Sequence, residues 1–310
     1  MILSVAPNLE KLTVLAEEAE QETILGALKG TSGPLPVWTF ADPVLMTDTS
    51  RIGQLPAGLR DALFALHESY PRTVTYDGVS VSWTPQRYPR VWGPSIDTIF
   101  LAQAVKPYLP AARSAVEVGC GSGFITKFMI QHGQLDRVLA SDINLQALQC
   151  CSDALAEIEH DAAVSLVAPQ PGDPTLGFSG TFDLMVSNPP YIPRPNERND
   201  NPYEGLDLVA KFARQGQQVL NPGGVLLLNI SSLSGDRPER WLADEGWAVR
   251  ETARKTVPLK VNAVTSGVTP ESRAWLAYLR DRGAVPADGE HRGYQFWHDL
   301  RILECRPPRS

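Results

Sequence analysis

Two short segments of this 310-residue chain carry residue types whose spacing could do chemistry. The first is Glu117-Val118-Gly119-Cys120-Gly121-Ser122-Gly123, which follows the apolar run Ser114–Val118 and precedes the helical pattern SGFITKFMIQHG. Glycines in a strand-to-helix turn let the backbone bend tightly and approach a ligand closely. The first turn of the following helix offers unpaired N–H groups to a carboxylate or phosphate. Asp142 closes the next apolar run, RVLASDI, roughly twenty residues past the first glycine, the interval at which an acidic side chain reaches both ribose hydroxyls. Together these residues specify a nucleoside cofactor. The glycine spacing is G-x-G-x-G rather than the G-x-G-x-x-G of dinucleotide sites, and Glu117 stands just before it. Both details favour S-adenosylmethionine (SAM) over a nicotinamide dinucleotide.

The second segment is Asn188-Pro189-Pro190-Tyr191, directly after the run FDLMVSN. Two prolines stiffen the backbone and remove two N–H donors, leaving an acceptor-rich turn of the Asn188 side-chain oxygen and the Pro189 carbonyl. An amide or exocyclic amine could give its two hydrogens to those acceptors while its plane stacks on Tyr191. The lone pair of such a nitrogen is delocalised and attacks poorly. Holding both hydrogens favours a more tetrahedral nitrogen and stabilises the positive charge that develops as a methyl group arrives. No catalytic serine, cysteine or metal is needed for that step. Asn188, Pro189 and Tyr191 are the expected catalytic residues, with Asn188, Pro190 and Tyr191 holding the acceptor.

These segments must be positioned by the elements around them. From Ser95 onward helical patterns alternate with short apolar runs at 114–119, 137–142, 163–168, 182–187 and 224–230, which predicts a parallel, doubly wound α/β sheet of the Rossmann-like type. WAVRETARKTVPLKV and YQFWHDLRILECR read as two further strands, for seven in all, with a helix from Glu271 between them. Residues 1–90 read as a separate N-terminal region ahead of a cofactor-binding domain over 91–310. The apolar spacing predicts helices over 9–29 and 57–69, and VTYDGVSVSW predicts a hairpin turning at Asp77-Gly78.

Composition narrows the partners. The net charge of −7 gives no global attraction to nucleic acid, so nucleic acid is possible as a partner but not favoured. The four cysteines, Cys120, Cys150, Cys151 and Cys305, form no C-x-x-C pair, which argues against a zinc site or a disulfide framework and for reduced thiols in the cytoplasm. The N-terminus lacks a signal-peptide pattern and no apolar run approaches a membrane span. His67, His132, His160, His291 and His298 are scattered without the spacing of a catalytic pair, and are expected to be structural or surface residues. Trp92, just before the segment that enters the site, is the aromatic residue to watch.

The pair VEVGCGSG and FDLMVSNPPYIP resembles class I SAM-dependent methyltransferases that modify amino nitrogens, and most closely the release-factor glutamine methyltransferases, in which the second motif runs on as NPPYIP. GPSIDTIFLAQAV resembles their upstream segment. The resemblance covers about residues 91–232. It implies SAM as cofactor, with Glu117, Gly119 and Gly121 at its methionine end, Asp142 at the ribose, Asp173 approaching the adenine, and Asp97 and Thr98 closing over it; Gly123 and Ile143 are further expected cofactor-binding residues. It implies a protein acceptor such as a release factor, or a small molecule bearing a similar amide. The segment RPNERNDNPYEGLDL keeps only part of the family pattern, and residues 1–90 match none of it. The same Asn-Pro-Pro-Tyr chemistry serves adenine N6 or guanine N2 of a flipped base, which is the alternative acceptor class. A SAM-binding partner subunit without activity and a nicotinamide-dependent oxidoreductase are the readings outside this class.

Overall fold

The computed structural model describes residues 11–16, 27–32, 35–41, 72–83, 87–170, 176–192, 205–258, 277–279, 281, 285–291 and 294–308. Thirteen strands are among them: β1 (Lys11–Ala16), β2 (Ala27–Ser32), β3 (Leu35–Ala41), β4 (Arg72–Tyr76), β5 (Val79–Trp83), β6 (Ser114–Val118), β7 (Arg137–Ser141), β8 (Ala163–Val167), β9 (Phe182–Ser187), β10 (Leu220–Ser231), β11 (Ala248–Pro258), β12 (Val285–His291) and β13 (Tyr294–Arg306). The helices are α1 (Ile96–Val105), α2 (Phe124–His132), α3 (Leu145–Leu155), α4 (Asp207–Gln215) and α5 (Arg237–Asp244).

The main sheet runs in the order β11-β13-β10-β9-β6-β7-β8, with β12 hairpinned onto β13. The five strands expected from the apolar runs, β6 to β10, are parallel to one another, and β13 lies antiparallel between β10 and β11. Every residue of β6 is buried, as a central strand covered on both faces requires. Strand β8, on the edge, shows the partial exposure of an unpaired side. Connections from β6 run outward to β7 and β8, whereas β9 and β10 lie on its other side. The order therefore reverses between β6 and β9. In open α/β sheets the crevice at the carboxyl ends of such a pair of strands is where ligands bind, and both chemical segments leave the sheet there.

One face is packed by α1, α2 and α3. Phe124 and Phe128 are fully buried with Ile99, Leu101 and Val105 in one continuous core, each contributing about 1.5–3 kcal/mol by burial. The opposite core gathers Phe182, Phe212, Leu242 and Trp247 beneath α4 and α5. Helix α5 was not anticipated, and it is only eight residues long.

The N-terminal region departs from expectation. A helix was expected over residues 9–29, but Lys11–Ala16 and Ala27–Ser32 are strands of a five-stranded antiparallel sheet, β2-β3-β1-β4-β5. KLTVLA pairs with β3 on one side and β4 on the other. ALKGTS contains glycine, threonine and serine, all weaker helix formers than alanine. Pairing with distant strands outweighs the local apolar spacing. The expected helix over 57–69 lies outside the described residues. The hairpin forms as read, with positive φ at Asp77 (50°) and Gly78 (79°). Its strands belong to the main core: Val74, Tyr76, Val79 and Val81 pack with α1 and α2, and the buried Lys127 of α2 donates to the Ser80 carbonyl at 2.7 Å. Within 271–283 the described residues 277–279 and 281 are helical.

Candidate active site

The loop from β6 into α2 is held from below by the end of β7. The N–H groups of Gly119 and Cys120 both donate to the Ser141 carbonyl, at 2.7 and 3.0 Å. The Asp142 carboxylate accepts from the Gly121 N–H at 3.0 Å and from the Asn144 N–H at 2.9 Å. Asn144 caps α3 by accepting from the Gln146 N–H and ties in the preceding segment by donating to the Arg90 carbonyl at 3.1 Å. Glycine loop and Asp142 are thus one hydrogen-bonded unit, with Ile143 beside it, half-buried.

Each glycine has its own reason. Gly119 has φ of 80°, and a Cβ there would meet nothing within 4 Å. Gly123, the N-cap of α2, has φ of 77°, but its Cβ would lie 2.6 Å from Cα of Cys151 in α3. Gly123 therefore serves helix packing, while Gly119 faces open space. At Gly121 the Trp92 carbonyl would stand 3.1 Å from a Cβ, and the Trp92 side chain is mostly exposed above the loop.

The loop fits SAM. Open space over a positive-φ glycine gives its amino-acid end room, and an acidic side chain at the end of β7 suits a ribose. Burial pushes the Asp142 carboxyl above the usual carboxylate range, and the N–H groups of Asn144 and Gly121 partly offset this. Glu117 is buried, which pushes its carboxyl well up, and it accepts a hydrogen bond from the Thr126 hydroxyl of α2. Asp173 lies outside the described residues.

The Asn188 segment leaves β9 into a network centred on Asp97 in the first turn of α1. One oxygen of Asp97 accepts from Asn188 Nδ2 at 3.1 Å and from the Tyr191 hydroxyl at 3.0 Å, and the other accepts from the Ser95 hydroxyl. Thr98 accepts from the Ser95 N–H at 3.2 Å, half of a capping box for α1. Asp97 and Thr98, expected over the cofactor, are thus engaged with the Asn188 segment and with the helix start. Tyr191 is buried. Its ring packs against His298, with centroids 6.1 Å apart, and burial together with Asp97 pushes its hydroxyl well above the usual phenol range. Pro189 is buried and Pro190 half-buried.

Three residues here were not singled out from the sequence. Asn229, fully buried near the end of β10, donates to the Asp97 carbonyl at 3.2 Å and to Asn188 Oδ1 at 3.1 Å. Ser231 lies 2.7 Å from Nδ1 of His298. Ser234 donates to the Tyr191 carbonyl at 2.9 Å. One signal for Asn229 was present: a lone amide in the apolar run GGVLLLNI is unusual for a buried strand. His298, expected to be structural, lies buried beside Tyr191. Among the described residues no cluster of metal-ligating side chains occurs and no helix is long and apolar enough to cross a membrane.

Residues 96–244 match the family model described as Methyltransferase small domain. The chain is 28% identical over 208 residues to the release factor glutamine methyltransferase of Moorella thermoacetica, covering 62% of this chain and 69% of that one. It is 30% identical over 176 residues to the release factor glutamine methyltransferase of Streptomyces coelicolor, covering 51% and 58%. It is also 32% identical over 122 residues to the rRNA N(6)-adenosine-methyltransferase metl-5 of Caenorhabditis elegans, covering 39% and 53%. The matches thus span 53% to 69% of the lengths of these relatives. The chain therefore resembles the class I SAM-dependent methyltransferases, with the methyltransferase small domain matched over residues 96–244 and release factor glutamine methyltransferases among its relatives.

Proposed function

We propose that the protein methylates the side-chain amide nitrogen of a glutamine in a protein acceptor of the release-factor kind. The observation that carries this is the fixed orientation of Asn188. A carboxylate oxygen can only accept, so Asp97 compels Nδ2 of Asn188 to face it, and Oδ1 is left as the acceptor at the carboxyl end of β9. Strand β9 adjoins β6, from which the glycine loop springs. Acceptor amide and cofactor meet across that crevice.

SAM, when bound, supplies an electrophilic methyl group on a sulfonium centre. Glu117, Gly119 and Gly121 would line its amino-acid end, Asp142 and Ile143 its ribose, and Asp173 its adenine. Asn188 Oδ1 and the Pro189 carbonyl would accept hydrogen bonds from the two amide hydrogens, orient the nitrogen, and stabilise the positive charge it acquires, which is discharged when one of those protons leaves to solvent. Tyr191 keeps its proton and braces Asp97. Pro190 stiffens the turn. Residues 1–90 would contact the acceptor protein, and the four buried free cysteines suit a cytoplasmic setting.

The test is methyl transfer from labelled SAM to a recombinant release factor, to a glutamine peptide and to ribosomal RNA in parallel. Label in the glutamine side chain is expected. Label in RNA adenine instead, the chemistry named by the metl-5 relative, would replace this reading with the base-methylating one. Asn188→Ala should leave S-adenosylhomocysteine (SAH) binding unchanged and lower kcat by roughly 10²–10³, the scale of one lost preorganised group at a reacting centre. Full turnover by that variant would reduce Asn188 to a loop residue.

A further inference from the structure

We infer that Asn229 is a positioning residue that locks the Asn188 amide in its reactive orientation. Its Nδ2 donates at once to Asn188 Oδ1 and to the Asp97 main-chain carbonyl. Asp97 in turn holds the other end of the same amide through its side chain. Asn188 is clamped at both ends: a donor on its oxygen and an acceptor on its nitrogen. A half-turn of the amide would set two N–H groups face to face and an oxygen against a carboxylate. The clamp takes one lone pair of Oδ1 and leaves the second for the acceptor nitrogen. It also draws electron density from Oδ1 only weakly, because an amide N–H is neutral.

Stability does not account for this asparagine. Its neighbours Leu228 and Ile230 are fully buried, and its own Oδ1 is buried with no hydrogen-bond partner among the described residues. An orphaned buried oxygen is a cost to the fold that a leucine at this position would avoid. What the amide alone provides is its pair of donors, and both are used on the Asn188–Asp97 unit.

The inference rests on the glutamine-methylating reading for its effect on turnover, but the clamp can be measured without an acceptor. Two variants remove the donors: Asn229→Asp, of the same shape, and Asn229→Leu, apolar and uncharged in case a second carboxylate prevents folding. In spectra of protein labelled with ¹⁵N-asparagine, the side-chain amide pair that vanishes in Asn188→Ala should shift in both variants. SAH affinity, read by calorimetry, should stay within about twofold. With a working acceptor, kcat should fall roughly tenfold to a hundredfold, the scale of a misplaced reacting group, while the acceptor KM moves little. In the Asn188→Ala background the same substitution should cost nothing more, because the effect passes through Asn188. Equal losses in both backgrounds, or unmoved Asn188 amide signals, would overturn the inference. If the wild-type protein labels no acceptor, the functional reading fails while the spectra still decide the clamp.

Discussion

Two glycines in one loop should respond in opposite ways to the same added methyl group. In Gly119→Ala the new Cβ enters open space, so the fold loses only the preference of alanine against a φ of 80°, about 1–2 kcal/mol. In Gly123→Ala a similar backbone cost is joined by a Cβ 2.6 Å from Cα of Cys151 and 2.9 Å from its Sγ. Backbone cannot yield as a side-chain tip can, so about 1–3 kcal/mol of overpacking is added. The total for Gly123→Ala is about 2–5 kcal/mol, a large part of the roughly 5–15 kcal/mol that holds a typical domain. Thermal unfolding with and without SAH measures both quantities. Saturating ligand should raise the wild-type midpoint, since a hundredfold excess over Kd adds about 2.7 kcal/mol. Gly119→Ala should unfold a few degrees early and gain little from SAH, because its methyl group occupies the ligand's space. Gly123→Ala should unfold much earlier, yet whatever remains folded should still respond. If Gly119→Ala bound SAH like the wild type, the space above the loop would not be the cofactor's, and the site would have to lie elsewhere on the sheet.

On the proposed reading Asp142 must be ionised to accept two ribose hydroxyls, and burial raises its carboxyl above the ordinary 3.8. SAH affinity should therefore fall as pH drops through that raised value, before ordinary surface carboxylates titrate, and calorimetry between pH 4 and 7 should lose this dependence in Asp142→Asn. Glu304 is perturbed the other way: burial pushes it up, but hydrogen bonds from Tyr108, Arg250 and Arg306 outweigh that and hold it at about 2, against 4.5 when unperturbed. A depressed carboxyl stabilises the fold above its unfolded pKa, and that stability drains away as pH falls from 4.5 through about 2. Since the Arg250 side chain is 70% exposed and screened by solvent, the effect should be about 1–2 kcal/mol. Denaturant titrations at pH 7 and 3 should show it, and Glu304→Gln should flatten the difference.

What was legible in the sequence was whatever short-range patterns encode. Buried parallel strands read as apolar runs, glycines mark a tight turn, prolines stiffen another, and an acid ends the second strand, so the sheet, the loop and Asp142 could be placed without coordinates. The N-terminal strands could not, because pairing partners tens of residues away decide whether KLTVLA is helix or strand. Nor could the surroundings of Asn188. Asp97 opens a helix and Asn229 lies near the end of a strand far along the chain, and only the packing of α1 against the carboxyl ends of β9 and β10 brings them to one amide. Hydrogen bonds between side chains depend on position in space, not on spacing along the chain. Residue type therefore announced that Asn188 could accept a hydrogen, whereas tertiary structure alone decided which end of its amide is free to do so.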